Sequence, residues 1–236
     1  MKHHIKSDKA LAEVNTHGAY VDNFEINGKP IFFPKVMVKI GDSLKVRGGM
    51  HVCAPNFGAD EIFDSLANHG FARDLDWEVI GKSENAISLK LDGIGYYEKA
   101  VFELEYEIKA DSFLAKLKVT NNSDKDLPLA PGFHPYFYSD HKPFSINGED
   151  LSKDQLTASE FYQAKNLEFS INGLDIKIMG EQNINEYIFW SDFNGDYICV
   201  EPTYNSIAFS DSSKDPYMLK PNDIFVQNII IKIKNV

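Results

Sequence analysis

Strict alternation of apolar and charged side chains is the strongest structural signal in this sequence. In residues 101–108 glutamates alternate with apolar residues, and residues 113–120 continue the alternation with lysines. Side chains two residues apart lie on the same face of a β-strand, so each segment is predicted to be a strand with one buried and one exposed face. Because the lysines of the second strand can face the glutamates of the first, the two segments are predicted to pair as a hairpin.

Four Asn-Gly pairs indicate tight turns between strands. They occur at residues 27–28, 147–148, 172–173 and 194–195. Asn-Gly is a strong hairpin signal because both residues tolerate a positive φ, and the first and third pairs have strand patterns on both sides. Helical periodicity is weak and confined to short stretches at 59–68 and 153–161. We therefore predict an all-β chain, a large antiparallel β-sandwich with few short helices, forming a single domain over residues 1–236.

The charge balance and the apolar runs limit the partners and the location of the protein. The sequence has 24 basic and 35 acidic residues, a net charge of −11 and no strong basic patch, so nucleic acid is not expected as a partner. It has no apolar run of the roughly 20 residues that a membrane span needs, and no signal-peptide core. We predict a cytoplasmic protein without nucleic-acid or membrane partners.

Cys53 and Cys199 lack metal-ligand spacing and are predicted to be buried thiols.

Three segments place an ionisable side chain next to glycine or proline. These side chains are His69, His134 and Glu201. Pro135 favours extended backbone at His134, and the neighbouring aromatic residues suit the wall of a sugar pocket. Glu201 follows an apolar stretch at the end of a strand pattern, where burial raises the pKa of a carboxyl group and can produce a general base. Taken singly, each residue is more often structural than catalytic. Their spacing fits no compact metal motif, and no metal is predicted.

Together with their neighbours, these segments resemble the ordered motifs of the aldose 1-epimerase (galactose mutarotase) superfamily. The matching segments are 18–34, 47–50, 55–58, 69–77, 132–137 and 200–202. The Arg-Gly-Gly element at 47–49 and the His-Gly-Phe-Ala-Arg element at 69–73 resemble especially the hexose-6-phosphate 1-epimerase branch. The resemblance implies a galactose mutarotase-like supersandwich. It also implies an isomerase that interconverts the α and β anomers of an aldohexose or its 6-phosphate without a cofactor.

The resemblance implies catalytic roles for three residues. Glu201 matches the family's general base, His134 its general acid, and His69 a second histidine that holds or polarises the sugar near the ring oxygen. Opening of the sugar ring needs a base at the C1 hydroxyl and an acid at the ring oxygen. A carboxylate and an imidazole on either side of one sugar satisfy both needs.

Three further residues are implied as substrate ligands. Arg47 and Arg73 are the only arginines in the sequence, and both stand in motifs whose arginines bind the 6-phosphate in the sugar-phosphate branch. The alternative is an ion pair of Arg73 with Asp74 or Asp76, and a turn-capping role for Arg47. Asn185 stands where the family usually has an aspartate that binds sugar hydroxyls, and an amide can also bind them. The predicted partner is a small-molecule sugar or sugar phosphate, and we expect a monomer.

Two other functions are compatible with the same residues. The first is a non-catalytic carbohydrate-binding or sensing protein on the same fold, which Asn185 and the short chain favour. The second is a glycoside hydrolase or lyase, which would need a second catalytic carboxylate. The candidates for that carboxylate are Glu186, Asp192 and Asp196.

Overall fold

The computed structural model describes residues 1–61, 66–146 and 148–234. The strands of the first half are β1 (Lys2–Lys6), β2 (Ala10–Asn15), β3 (Val21–Ile26), β4 (Lys29–Pro30), β5 (Val36–Ile40), β6 (Ser43–Arg47), β7 (Met50–Cys53), β8 (Glu78–Lys82), β9 (Ala86–Asp92), β10 (Ala100–Lys109) and β11 (Ser112–Asn121). Those of the second half are β12 (Leu127–Leu129), β13 (Gly132–Tyr138), β14 (Phe144–Ile146), β15 (Glu149–Leu151), β16 (Glu160–Gln163), β17 (Asn166–Ile171), β18 (Leu174–Gln182), β19 (Glu186–Trp190), β20 (Tyr197–Thr203), β21 (Tyr217–Leu219) and β22 (Ile224–Lys234). The helices of the described residues are α1 (Lys153–Ala158) and the 3-10 turns Ala72–Asp74 and Gly95–Tyr97.

Two large sheets form the framework. The first has the strand order β1-β2-β3-β7-β13-β20-β19-β16, with β4 beside β3, and the second has the order β17-β18-β22-β11-β10-β9-β8. The central pairings of both sheets are antiparallel. This architecture confirms the predicted antiparallel all-β sandwich with few short helices. Among the described residues, none of the helices combines the length and the apolar character that a bilayer crossing requires.

Phenylalanine rings fill the space between the two sheets. Phe24 of the first sheet lies 5.1 Å from Phe113 of the second, measured between ring centroids. Phe137 and Phe169 make a similar contact at 5.2 Å. All four rings are buried, and each buried aromatic side chain removes a large apolar area from water. One face of the first sheet therefore packs in the core against the second sheet.

The hairpin predicted from alternation and those predicted at the first and third Asn-Gly pairs are confirmed, whereas the pair at 194–195 lies in the loop 191–196 and neither of its residues has a positive φ. β10 and β11 pair with Glu103 opposite Lys118, and Lys118 Nζ lies 2.6 Å from Glu103 Oε2. The pairs 27–28 and 172–173 join β3 to β4 and β17 to β18, and all four turn residues have a positive φ. Their backbone conformation is the reason that Asn-Gly stands there.

The predicted helical stretches have different outcomes. The stretch at 153–161 contains α1, which begins with a capping box between Ser152 and Gln155. Residues 62–65 lie outside the described residues, so the helix at 59–68 stays a prediction. The same holds for the turn at 147–148, because Asn147 is not described.

Alternation along the strands of the first sheet divides their side chains between the core and the opposite face. In β13, Phe133 and Phe137 belong to the core, whereas His134 and Tyr136 line a cavity on the outer face. In β20, Glu201 lines the same cavity. Because successive side chains in a strand point to opposite faces, the strands that build the core also present the polar side chains of the cavity.

Candidate active site

Strand register places three ionisable side chains side by side on the outer face of the first sheet. His134 in β13 pairs with His51 in β7. On the other side of β13, β20 is registered so that Glu201 lies opposite His134. Neighbouring strands are about 4.8 Å apart, so the three side chains form a row. We call His51, His134 and Glu201 the polar row.

A cavity of about 820 Å³ lies over the polar row. This volume is within the range of small-molecule binding sites. Aromatic rings form much of its wall, and they are Tyr20, Phe57, Tyr136, Phe161 and Trp190. The cavity brings together most of the residues predicted for the site, namely Glu201, His134, His69, Arg47 and Arg73.

Glu201 and His134 are in direct contact at the floor of the cavity. Glu201 Oε1 lies 3.3 Å from His134 Nε2, and the two residues are 2% and 4% exposed. Burial raises the pKa of the Glu201 carboxyl well above its ordinary value and lowers the pKa of the His134 imidazole well below its own. Both shifts favour the neutral form of each group, in which the proton of the pair resides on the carboxyl group. Transfer of that proton across the contact produces a carboxylate and an imidazolium, the form with both a base and an acid.

Neighbouring rings hold the His134 imidazole in one orientation. Tyr136 and His51 each stack on it with ring centroids 4.8 Å apart. His69 meets it edge-on at 5.2 Å. The ring is packed by these neighbours, and its Nε2 atom lies 3.3 Å from Glu201 Oε1.

His69 reaches the cavity from a loop. Its backbone φ is +70°, and Gly70 follows with a φ of +67°. A Cβ atom on Gly70 would lie 2.1 Å from the Ala54 carbonyl oxygen, so this close approach requires glycine. Burial, followed by the charge of Arg73, lowers the pKa of His69 to about 4, although a hydrogen bond to the Phe57 backbone opposes the shift. His69 is therefore a neutral hydrogen-bonding group near pH 7.

The two arginines differ in how far their charge is neutralised. Arg47 donates from Nε to Asp192 Oδ2 at 2.8 Å, and its guanidinium carbon lies 5.2 Å from the centroid of the Trp190 ring. Arg73 makes a longer contact with Asp74, 3.8 Å from Nε to Oδ2. Charge-assisted hydrogen bonds normally bring the two atoms within about 3 Å. Arg73 therefore keeps more of its charge available to an anion in the cavity.

Comparison with known proteins identifies the family. Residues 1–210 match the family model described as aldose 1-epimerase. The chain belongs to the aldose 1-epimerase family. Membership confirms the predicted family and places the chain among isomerase-type enzymes that act on sugars.

Solved structures agree with the fold expected for an aldose 1-epimerase. A protein from Synechocystis sp. PCC 6803 is 21% identical, with a TM-score of 0.82 over 100% of this chain and 96% of that chain. A galactose mutarotase related enzyme from Lactobacillus acidophilus is 16% identical, with a TM-score of 0.80 over 100% and 98%. A galactose mutarotase-like protein from Lactobacillus casei ATCC 334 is 16% identical, with a TM-score of 0.80 over 99% and 100%. These similarities confirm the galactose mutarotase-like sandwich.

Asn185 is not among the described residues that line the cavity of this epimerase. Its Nδ2 atom donates to Asn205 Oδ1 at 2.6 Å, and its Oδ1 atom accepts from the Asn205 backbone N–H at 3.0 Å. These two hydrogen bonds connect the loop before β19 to the loop after β20. The structure does not bring Asn185 to the other predicted site residues.

The carboxylates considered for a hydrolase also lie outside the described lining of the cavity. They are Glu186, Asp192 and Asp196. Glu186 is buried and forms an ion pair with Lys214 at 2.5 Å, while Asp192 holds Arg47. Both groups therefore have structural partners, which does not favour a hydrolase with two catalytic carboxylates.

Sequence reasoning did not single out Trp190 and Tyr136 as separate site residues. Alternation could have found both. Tyr136 lies two residues after His134 on the same face of β13. Trp190 of β19 lies opposite Cys199 of β20, and Cys199 is two residues before Glu201 on the same face of that strand. His51 directly follows the motif at 47–50 and belongs to the polar row.

One group of described residues has the spacing of a metal-ligand set. Ligand atoms of His134, Cys199 and Glu201 lie within 4.8 Å of one another. Burial raises the pKa of both the thiol and the carboxyl group and so favours their protonated forms. A cation would have to displace those two protons, because thiols and carboxyl groups bind metals in their deprotonated form. Cys199 and Cys53 are buried free thiols, as predicted.

Proposed function

We propose that the protein is a cofactor-independent mutarotase that interconverts the α and β anomers of an aldohexose or hexose 6-phosphate. Glu201 acts as the general base, His134 as the general acid, and His69 as a neutral group that polarises the sugar near the ring oxygen. The observation that carries the proposal is the buried contact of 3.3 Å between Glu201 and His134 on the floor of a cavity of suitable size. Membership of the epimerase family supports it.

The proton balance of the reaction fits this pair. The Glu201 carboxylate takes the proton of the C1 hydroxyl while the His134 imidazolium gives a proton to the ring oxygen, and the C1–O5 bond breaks. The products are the open-chain aldehyde and a neutral pair, which is the form that burial favours. Rotation about C1–C2 and reversal of the same steps produce the other anomer. No redox change and no covalent intermediate are needed.

The cavity walls contribute to this chemistry in two ways. Trp190 and Tyr136 offer flat apolar surfaces, on which the C–H faces of a pyranose can pack. They also exclude water, which strengthens the electrostatic interactions of the acid and the base. Arg47 and Arg73 are the proposed ligands of a 6-phosphate, with Arg73 contributing more because its charge is less neutralised.

Magnetisation-exchange NMR tests the proposed function. The exchange rate between the α and β anomers is measured with and without protein, for a panel of aldoses and their 6-phosphates. The proposed function requires faster exchange for at least one sugar in the panel. Binding without faster exchange would instead favour a carbohydrate-binding or sensing protein on the same fold.

The rate should fall at both ends of the pH range, so that its pH profile has two limbs. A second proton on the pair removes the base, and because burial lowers the pKa of His134, we expect this acid limb below pH 6.5. Loss of the shared proton removes the acid, and because burial raises the pKa of Glu201, we expect this second limb well above pH 4.5. Polarimetry across pH, corrected for spontaneous exchange, measures kcat/KM. An acid limb alone, set by a carboxyl of ordinary pKa, would contradict the pair.

Arg73→Ala should reduce the preference for phosphorylated sugars. Hydrogen bonds to charged groups contribute about 1.5–3 kcal/mol, so the ratio of kcat/KM for glucose 6-phosphate to that for glucose should fall about 10- to 100-fold. Arg47→Ala should change the ratio less, because Asp192 already neutralises that guanidinium. Polarimetry with both sugars measures the ratio. Unchanged selectivity in both variants would count against phosphate binding by the arginines.

A further inference from the structure

His51 stands at one end of the polar row and has no part in the proton transfers above. It is 2% exposed, and neither its Nδ1 nor its Nε2 atom has a hydrogen-bond partner among the described residues. Buried polar atoms are nearly always paired, and a neutral imidazole offers one donor and one acceptor. Because His51 lines the cavity, a ligand bound there can supply a partner to one of these nitrogens.

The order of the polar row matches one edge of a hexopyranose. Along that edge the C1 hydroxyl, the ring oxygen and the exocyclic C6 oxygen follow one another. With Glu201 at the C1 hydroxyl and His134 at the ring oxygen, the next side chain in the row lies at the C6 oxygen. That side chain is His51, whose ring centroid is 4.8 Å from that of His134.

The groups around His51 also suit a substituent at C6. Tyr20 packs against His51 with tilted rings whose centroids are 4.8 Å apart, and Lys35 Nζ lies 3.6 Å from the centroid of the Tyr20 ring. Arg73 lines the cavity and lies near enough to act electrostatically on both Tyr20 and His51. Lys35 is paired with Asp22, whereas the contact of Arg73 with Asp74 is long, so Arg73 supplies positive charge at the end of the row where the C6 group, or a phosphate on it, would lie.

We propose that His51 binds the C6 oxygen of the substrate and selects hexoses over pentoses. The inference rests on the proposed function, because the roles of Glu201 and His134 set the orientation of the sugar. It adds a specificity-determining residue from β7 to the acid and the base supplied by β13 and β20. Its hydrogen bonds affect the binding of the C6 group and leave the proton transfers unchanged.

The test compares glucose with xylose, which is the same pyranose without C6. His51→Phe keeps a flat ring between Tyr20 and His134 but removes both nitrogens. We expect kcat/KM for glucose to fall about tenfold, mainly through KM, and kcat/KM for xylose to fall less than about threefold. His51→Gln, which restores a donor and an acceptor, should recover part of the preference for glucose. Dissociation constants for both sugars, measured by isothermal titration calorimetry, provide the same ratio without requiring turnover.

Each outcome bears on the inference separately from the proposed function. Equal losses for glucose and xylose in His51→Phe would assign the residue a structural role and overturn the inference while leaving the epimerase intact. No loss for either sugar would overturn it as well. Binding without accelerated exchange in the wild-type protein would overturn the epimerase activity, and the ratio of dissociation constants would then decide the role of His51. Wild-type protein that neither binds nor interconverts glucose, xylose or any other sugar of the panel, 6-phosphates included, would overturn both.

Discussion

Replacing Glu201 by glutamine is expected to slow protein-accelerated anomer exchange by about 10³-fold, the typical contribution of a positioned acid or base. The amide has nearly the shape of the carboxyl group but cannot take the proton of the C1 hydroxyl. Because Glu201 is 2% exposed and burial favours its protonated, neutral form, the substitution adds no unpaired charge. Magnetisation-exchange NMR with the preferred sugar measures the loss.

A matched control separates catalysis from folding for this variant. Glu103→Gln removes a carboxylate from the hairpin of the second sheet, where its ion pair with Lys118 is partly exposed and contributes little. Both variants should melt within about 4 °C of the wild-type protein, and only Glu201→Gln should lose activity. Full activity in Glu201→Gln would refute its assignment as the base.

His134→Ala should reduce the rate of anomer exchange by about 10²- to 10³-fold. The substitution removes the group that protonates the ring oxygen, so cleavage of the C1–O5 bond loses its acid. His134 is stacked between Tyr136 and His51, and the alanine variant therefore also loses packing. His134→Gln fills more of that space and should be comparably slow. Polarimetry at several pH values measures both variants.

The pH profile distinguishes a lost acid from a disturbed cavity. Without the imidazole, the acid limb set by His134 should disappear from whatever rate remains, whereas a general loss of packing would lower the rate at every pH. His17→Gln is a suitable control, because His17 is exposed and pairs with Asp76 away from the cavity. Wild-type rates in His134→Gln would remove this residue from the mechanism.

Much of the fold could be predicted from local patterns. The glutamate and lysine alternation of β10 and β11 specified both strands and their pairing, because side chains two residues apart share a face. The turns at 27–28 and 172–173 followed from the positive φ that Asn-Gly tolerates. The single domain, the monomeric state and the cytoplasmic location stay predictions.

The site was predictable only in part. Gly-rich and Pro-containing motifs pointed to His69, His134, Glu201 and the two arginines, and the structure brings all five into one cavity. The same sequence reasoning included Asn185, whose side chain instead bonds Asn205. The partner of Arg47, Asp192, was considered only as a catalytic carboxylate. Which side chain neutralises which charge depends on contacts between distant segments, and no local pattern encodes them.

By itself, the sequence determined the strands, several of their turns and the chemical groups that the site can use, because alternation and turn geometry act over only a few residues. The tertiary structure alone decided that Glu201 lies opposite His134 and that His51 continues the row. Register between strands far apart in the chain follows from packing of the whole core against the second sheet. The same packing removes water from the pair and shifts both pKa values, so the chemistry of these ordinary side chains exists only in the folded protein.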